Sequence, residues 1–175
     1  MALNDVQVNE IKDLLRQKIN EKLENYARET SSMPFLAKLM QDSEKVAAYS
    51  FIHSLATTLG MSIYEKVSQI VALPAYEVVE TGYDVEGEIS NDENNIISQI
   101  LQEIKSGARK SNKEQEIKEI LKCKPRAGRK IKIRADLFLK RKNEEYYIEI
   151  KTAKPNIDVF AKSKEKLLQW VALRK

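Results

Sequence analysis

Cysteine is almost missing from this 175-residue chain, which has Cys123 alone, and histidine is equally scarce, with His53 alone. A single cysteine excludes an intrachain disulfide and any multi-cysteine zinc site, and it leaves Cys123 with His53 as the sole pair for Cys/His nucleophilic chemistry. Long apolar runs are also missing. The richest stretch, Phe51 to Leu73, is broken by His53, Glu65, Lys66 and Gln69, and nothing approaches the roughly 20 apolar residues of a membrane span. No basic region followed by an apolar one opens the sequence, so a cytoplasmic location is expected. Internal repeats and low-complexity segments do not occur. What is present is 42% hydrophobic and 32% charged, enough for a packed core. The length suits one domain spanning 1–175, with a helical first part to about 74 and a sheet-containing part from about 75.

Charge is unevenly distributed. Up to Ser90 there are 8 basic and 14 acidic residues, and after it 22 basic and 12 acidic, so the two parts carry −6 and +10. From Lys105 to Lys142 the count is 15 Lys or Arg against 4 Asp or Glu. A local +11 attracts polyanions, and nucleic acid is the partner it points to, with a solvated basic surface as the alternative.

Val8, Ile11, Leu15, Ile19, Leu23 and Tyr26 recur every three or four positions and predict a helix over Asn4 to Tyr26. After a turn at Ser31 to Pro34, Ser43 can cap a helix running to about Gly60, and Ser62 with Glu65 reads as a capping box for another, stopped by Pro74. Tyr76 to Val85, with Gly82 inside it, predicts one or two short strands. Ser90 with Glu93 forms a second capping box for a helix closed by Gly107, and a shorter helix is expected from Asn112 to Leu121. Lys130 to Leu139 and Glu145 to Thr152 both alternate and are separated by a polar turn, the pattern of a β-hairpin. A last helix covers Val159 to Leu173, with Trp170 packing it.

The chemistry lies on the hairpin. An acid-x-Lys tripeptide occurs four times, at Glu10, Glu103, Glu116 and Glu149, always as Glu-Ile-Lys. Three of these fall in helical patterns, where residues two apart diverge by about 200° and cannot converge on one ion. Glu149 and Lys151 are the exception: they share one side of a predicted strand, and Asp136 precedes them on its hairpin partner. Asp136 with Glu149-x-Lys151 matches the pattern by which PD-(D/E)XK nucleases hold Mg²⁺ against a scissile phosphate. The two carboxylates are hard oxygen ligands, the Ile150 carbonyl is a further one, and Lys151 orients the attacking water. The alternative is that the three residues only occupy the wet face of a hairpin.

Met33-Pro34-Phe35, Tyr49 to Leu55, Gly60 to Glu65, Gly107 to Lys113, Asp136 to Leu139 and Ile150 to Asn156 resemble, in order and spacing, TdeIII-type restriction endonucleases. The resemblance covers about Glu29 to the end, and Ala135 stands where the superfamily name has proline. It implies an α/β fold with a PD-(D/E)XK (restriction endonuclease-like) core, a central mixed β-sheet flanked by helices. It also implies a Mg²⁺-dependent type II enzyme that cuts double-stranded DNA as a homodimer at a short palindrome of the GGNCC kind, beside a cognate DNA methyltransferase. Glu65 resembles the helix glutamate that completes the metal site, or else caps its own helix. Arg109, Lys110, Asn112 and Lys113, after a helix-ending glycine, and Lys154 and Asn156, after the catalytic strand, suit contacts to phosphates and base edges. Two other readings stay open: a PD-(D/E)XK nuclease of repair or junction processing, and a basic DNA-binding module without catalysis.

Overall fold

The computed structural model describes residues 2–25, 34–58, 60, 63–124, 126–151 and 156–175. Lys154 and most of the turn expected at Ser31 to Pro34 lie outside them. The chain separates into two units, Met1–Ala75 and Tyr76–Lys175, a boundary at the expected change from helix to sheet.

The first unit holds helices α1 (Asp5–Asn25), α2 (Pro34–Met40), α3 (Ser43–Thr58) and α4 (Tyr64–Ala72). Asn4 starts α1 by accepting the Gln7 N–H at 2.8 Å, while Gln7 Oε1 accepts the Asn4 N–H at 3.2 Å. This reciprocal cap fixes the Gln7 amide, whose Nε2 then donates to the Ile70 carbonyl at 2.9 Å and ties α1 to α4. Two expected caps differ. Asp42, one position before Ser43, caps α3, because its Oδ1 accepts the Glu44 and Lys45 N–H groups, each at 3.1 Å. A carboxylate is also favoured at a helix N-terminus by the dipole. At α4 the capping position is Ile63, whose side chain makes no cap bond; Ser62 lies outside the described residues. His53 is exposed on α3 and stacks on Tyr49, with ring centroids 6.2 Å apart.

The second unit is built around a sheet of three strands, β1 (Val78–Ile89), β2 (Arg129–Arg141) and β3 (Glu144–Ile148), in that spatial order. Both pairings are antiparallel, so among the described residues the sheet is not the mixed one expected. The stretch beginning at Tyr76 makes one long strand, not short pieces: its pairing with β2 runs from Val78↔Lys140 to Ile89↔Arg129. Gly82 lies within it at φ +65, with the Arg134 guanidinium laid across it. The backbone angle is what favours glycine there, since the end of an arginine side chain could move aside for a Cβ. Helices α5 (Asn91–Ser106), α6 (Lys113–Leu121) and α7 (Ile157–Leu173) complete the unit.

Helices α5 and α6 keep their expected ends, while α7 begins at Ile157, ahead of the expected Val159. Ser90 and Glu93 form the full capping box and Gly107 closes α5 in the left-handed conformation at φ 77. Asn112 caps α6 and Asn156 caps α7. The apolar stripes predicted from periodicity meet as one cluster of Ile89, Ile97, Ile100, Ile120, Leu168 and Ala172, and Val85, Ala135 and Trp170 form another under α7. Ala135, Leu137 and Leu139 are buried as one face of β2 should be. Phe138 from the opposite face is buried too, stacked on Tyr83 with centroids 4.1 Å apart and beside Tyr147 at 5.2 Å. Both surfaces of β2 are thus covered near the hairpin turn, and this part of the strand is not a wet face.

Two buried carboxylates make folding pH-dependent. Glu93 accepts the Ser90 N–H at 2.7 Å and pairs with Lys175; Glu116, 1% exposed, pairs with Lys164 at 2.6 Å and accepts the Asn112 N–H at 2.9 Å. Burial pushes both carboxyls up, but the lysine and backbone bonds outweigh it and hold both below the ordinary range. A carboxyl with a lower pKa folded than unfolded stabilises the fold above its unfolded value, about 4.3, and that contribution is lost as pH falls through the folded value. The melting temperature should therefore fall as pH drops below about 4.3, and Glu116→Gln should flatten the fall. An equally steep fall in Glu116→Gln would exclude Glu116 as a source.

Candidate active site

The ladder between β2 and β3 ends at the pair Leu137↔Ile148. The strand expected over Glu145 to Thr152 therefore stops at Ile148, and Glu149-Ile150-Lys151 continues beyond it. The reason is visible in one bond: Asp136 Oδ2 accepts the Ile150 N–H at 2.7 Å. A side-chain carboxylate has taken an amide that a further backbone rung would have used. Asp136 is thereby fastened to the amide that lies between Glu149 and Lys151, and the three motif residues share one neighbourhood.

Glu149 has 5% of its side chain exposed, against 34% for Lys151. Its Oε1 receives the Lys151 ammonium at 2.5 Å, and Lys166 from α7 donates to Oε1 at 3.0 Å and Oε2 at 2.8 Å. Burial pushes the Glu149 carboxyl up, but the hydrogen bonds from Lys151 and Lys166 prevail and hold it below the usual carboxylate range. It is therefore an anion at neutral pH, able to ligate a cation. Beside it opens a cavity of about 460 Å³, walled on the apolar side by Leu101, Ile104, Phe160 and Leu167 and reached by Glu149 and Lys151.

Among the described residues no group of three or more His, Cys, Asp or Glu side chains could hold a metal ion. Two carboxylates nonetheless suit Mg²⁺, which keeps several waters and takes one or two protein carboxylates together with substrate phosphate oxygens. The donors present, a buried anionic carboxylate and a second beside it, fit such a cation.

The remaining expected residues fare differently. Glu65 is in the first turn of α4, in the other unit. Arg109, expected at DNA, is held within the protein: its guanidinium meets Glu119 at 3.0 and 3.2 Å and Glu103 at 3.3 Å, with 16% of the side chain exposed. It joins the end of α5 to α6, and its fork is engaged by two carboxylates instead of facing a guanine. Asn112 and Asn156 use their side-chain oxygens as helix caps. Lys110 and Lys113 are exposed. Lys166 is absent from the residues expected at the site. A signal for it exists in the sequence, since Lys166 stands three and four residues from Ser163 and Trp170, both buried, so a charge sits within the inward stripe of α7.

A family model described as "Type II restriction endonuclease, HinfI" matches residues 3–175. The chain belongs to the HinfI family of type II restriction endonucleases. Curated relatives agree with that class. The type II restriction enzyme MjaII of Methanocaldococcus jannaschii is 28% identical over 121 residues, covering 67% of this chain and 31% of that protein. The type II restriction enzymes HgiEI and HgiBI of Herpetosiphon aurantiacus are each 28% identical over 178 residues, covering 89% of this chain and 64% of theirs. The chain thus spans about a third to two thirds of the length of these curated relatives. No solved structure matches it. Among the described residues no helix is long and apolar enough to cross a membrane.

Proposed function

We propose that this HinfI-family chain is a site-specific deoxyribonuclease that hydrolyses phosphodiester bonds in double-stranded DNA with Mg²⁺, through a PD-(D/E)XK core within a single nuclease domain. The observation that carries the reading is the bond from the Ile150 amide to Asp136, because it gathers two carboxylates and a lysine from consecutive extended segments. Asp136 and Glu149 would hold the cation, with the Ile150 carbonyl as a further ligand. When bound, the cation polarises the phosphate and acidifies a water. Lys151, about one third exposed beside Glu149, can turn its ammonium towards that water and offset charge on the phosphorane-like oxygens as attack proceeds. The attacking water gives up a proton to solvent as its oxygen bonds to phosphorus and the P–O3′ bond breaks; the leaving 3′-oxygen takes a proton from solvent, and a 5′-phosphate remains.

Double-stranded DNA is the substrate, read at a short palindrome of the GGNCC kind by a homodimer, in a system that includes a cognate DNA methyltransferase. Exposed Lys110 and Lys113 supply phosphate contacts, joined by Lys154 and by the side-chain amides of Asn112 and Asn156. Incubating purified protein with plasmid DNA and Mg²⁺ should give a fixed ladder of fragments that EDTA prevents. Ragged or structure-dependent products would favour a repair or junction nuclease, and salt-sensitive binding without cutting would favour a non-catalytic DNA-binding module.

A further inference from the structure

Lys166 is outside the acid-x-lysine motif, yet it makes more bonds to the motif's glutamate than the motif's own lysine does. Its ammonium spans both Glu149 oxygens, at 3.0 and 2.8 Å, whereas Lys151 reaches Oε1 alone. Together Asp136, Glu149, Lys151 and Lys166 carry no net charge, which explains how a carboxylate 5% exposed remains ionised in the absence of metal. A divalent cation on Asp136 and Glu149 adds two positive charges to this balanced set, and like charges a few Å apart repel strongly in a partly desolvated site. One ammonium must yield. Lys151 is tied to the site by the backbone two residues from Glu149. Lys166 comes from another element, α7; at 33% side-chain exposure against 34% for Lys151 it has as good a route to water, and no backbone link to the motif keeps it beside the ion.

We propose that Lys166 is a positioning residue, a built-in counter-ion that holds and neutralises Glu149 until a divalent cation displaces it. The inference rests on the reading of Asp136 and Glu149 as cation ligands. Its consequence is that Lys166 competes with the metal, so that metal occupancy frees an ammonium group at the moment the site becomes competent.

The test is Mn²⁺ binding by titration calorimetry on the intact protein without DNA, alongside thermal melts in EDTA and in saturating Mn²⁺. Lys166→Met removes the competitor and should bind Mn²⁺ about 5- to 10-fold more tightly than wild type, while Lys166→Arg, which keeps the charge, should not gain. Lys166→Met should also melt lower than wild type in EDTA and recover most of the deficit in Mn²⁺, because the cation then supplies the missing positive charge. A purely structural lysine would leave a deficit that Mn²⁺ does not repair. Unchanged or weaker Mn²⁺ binding by Lys166→Met, or a persistent deficit, overturns the proposal; Lys166→Gln gives the same readouts if the methionine variant does not fold. Wild-type binding that is lost in Asp136→Asn while Lys166→Met stays unchanged overturns this inference alone. A wild type that binds no Mn²⁺ overturns the cation site and this inference together.

Discussion

Asp136→Asn should lower DNA cleavage by about 10³-fold or more while leaving the melting temperature near that of the wild type. The asparagine oxygen can still accept the Ile150 N–H that Asp136 Oδ2 accepts at 2.7 Å, so the turn out of β3 is kept. What disappears is one negative charge and one hard ligand. Glu149→Gln should reduce cleavage to a similar extent, but with a measurable loss of stability, since Lys151 and Lys166 would then surround a neutral group. Kinetics on plasmid substrate together with circular dichroism melts check both. Wild-type cutting by a folded Asp136→Asn protein would remove Asp136 from the site.

The largest stability effect is expected at the junction of α6 and α7, where Lys164 and Ser111 also line the cavity beside Glu149. Glu116 is 1% exposed and Lys164 is 24% exposed, and they pair at 2.6 Å. Lys164 also donates to Ser111 Oγ at 2.6 Å. Removing one partner of a buried pair costs about 3–5 kcal/mol because the other charge is stranded. The two losses are unequal: a lysine left alone can reach water, whereas the glutamate cannot. Lys164→Met should therefore cost the full amount, about 3–5 kcal/mol. Glu116→Gln, which still accepts the Asn112 N–H, should cost about 1–3 kcal/mol. In the Glu116→Gln background, Lys164→Met should lose most of its effect. Chemical denaturation of the single and double variants measures this, and additive losses would show that the pair is not coupled.

How much is legible in the sequence depends on how local the determining forces are. The α5 cap and its glycine stop follow from chain neighbours, and both can be read from Ser90, Glu93 and Gly107. The hairpin is legible because alternation reports a half-buried strand. Its length is not: no local pattern says that Asp136 will take the Ile150 amide and end the ladder at Ile148. The continuous β1 is hidden for a related reason, since its pairing with β2 spans a long sequence separation and Gly82 reads as a break. The three motif residues of the candidate site are recognisable as a pattern. Lys166 shows only as a charge within the inward stripe of α7, and nothing local names its partner, which lies 17 positions away. Arg109 reads as a DNA contact only while its charge is equated with exposure, and α6 brings Glu119 to it.

The ion pairs around β2 also bear on how strongly these cations should attract DNA. Lys132 faces Asp84 and Glu86 across the sheet, Lys140 meets Glu145, Arg126 meets Asp92 and Arg109 meets Glu103 and Glu119. These cations already have carboxylate neighbours. A phosphate that one of them met on DNA would still shed its condensed cations, but the contact would be made against a carboxylate already in place, so it should add less attraction than a contact from a lysine without such a neighbour.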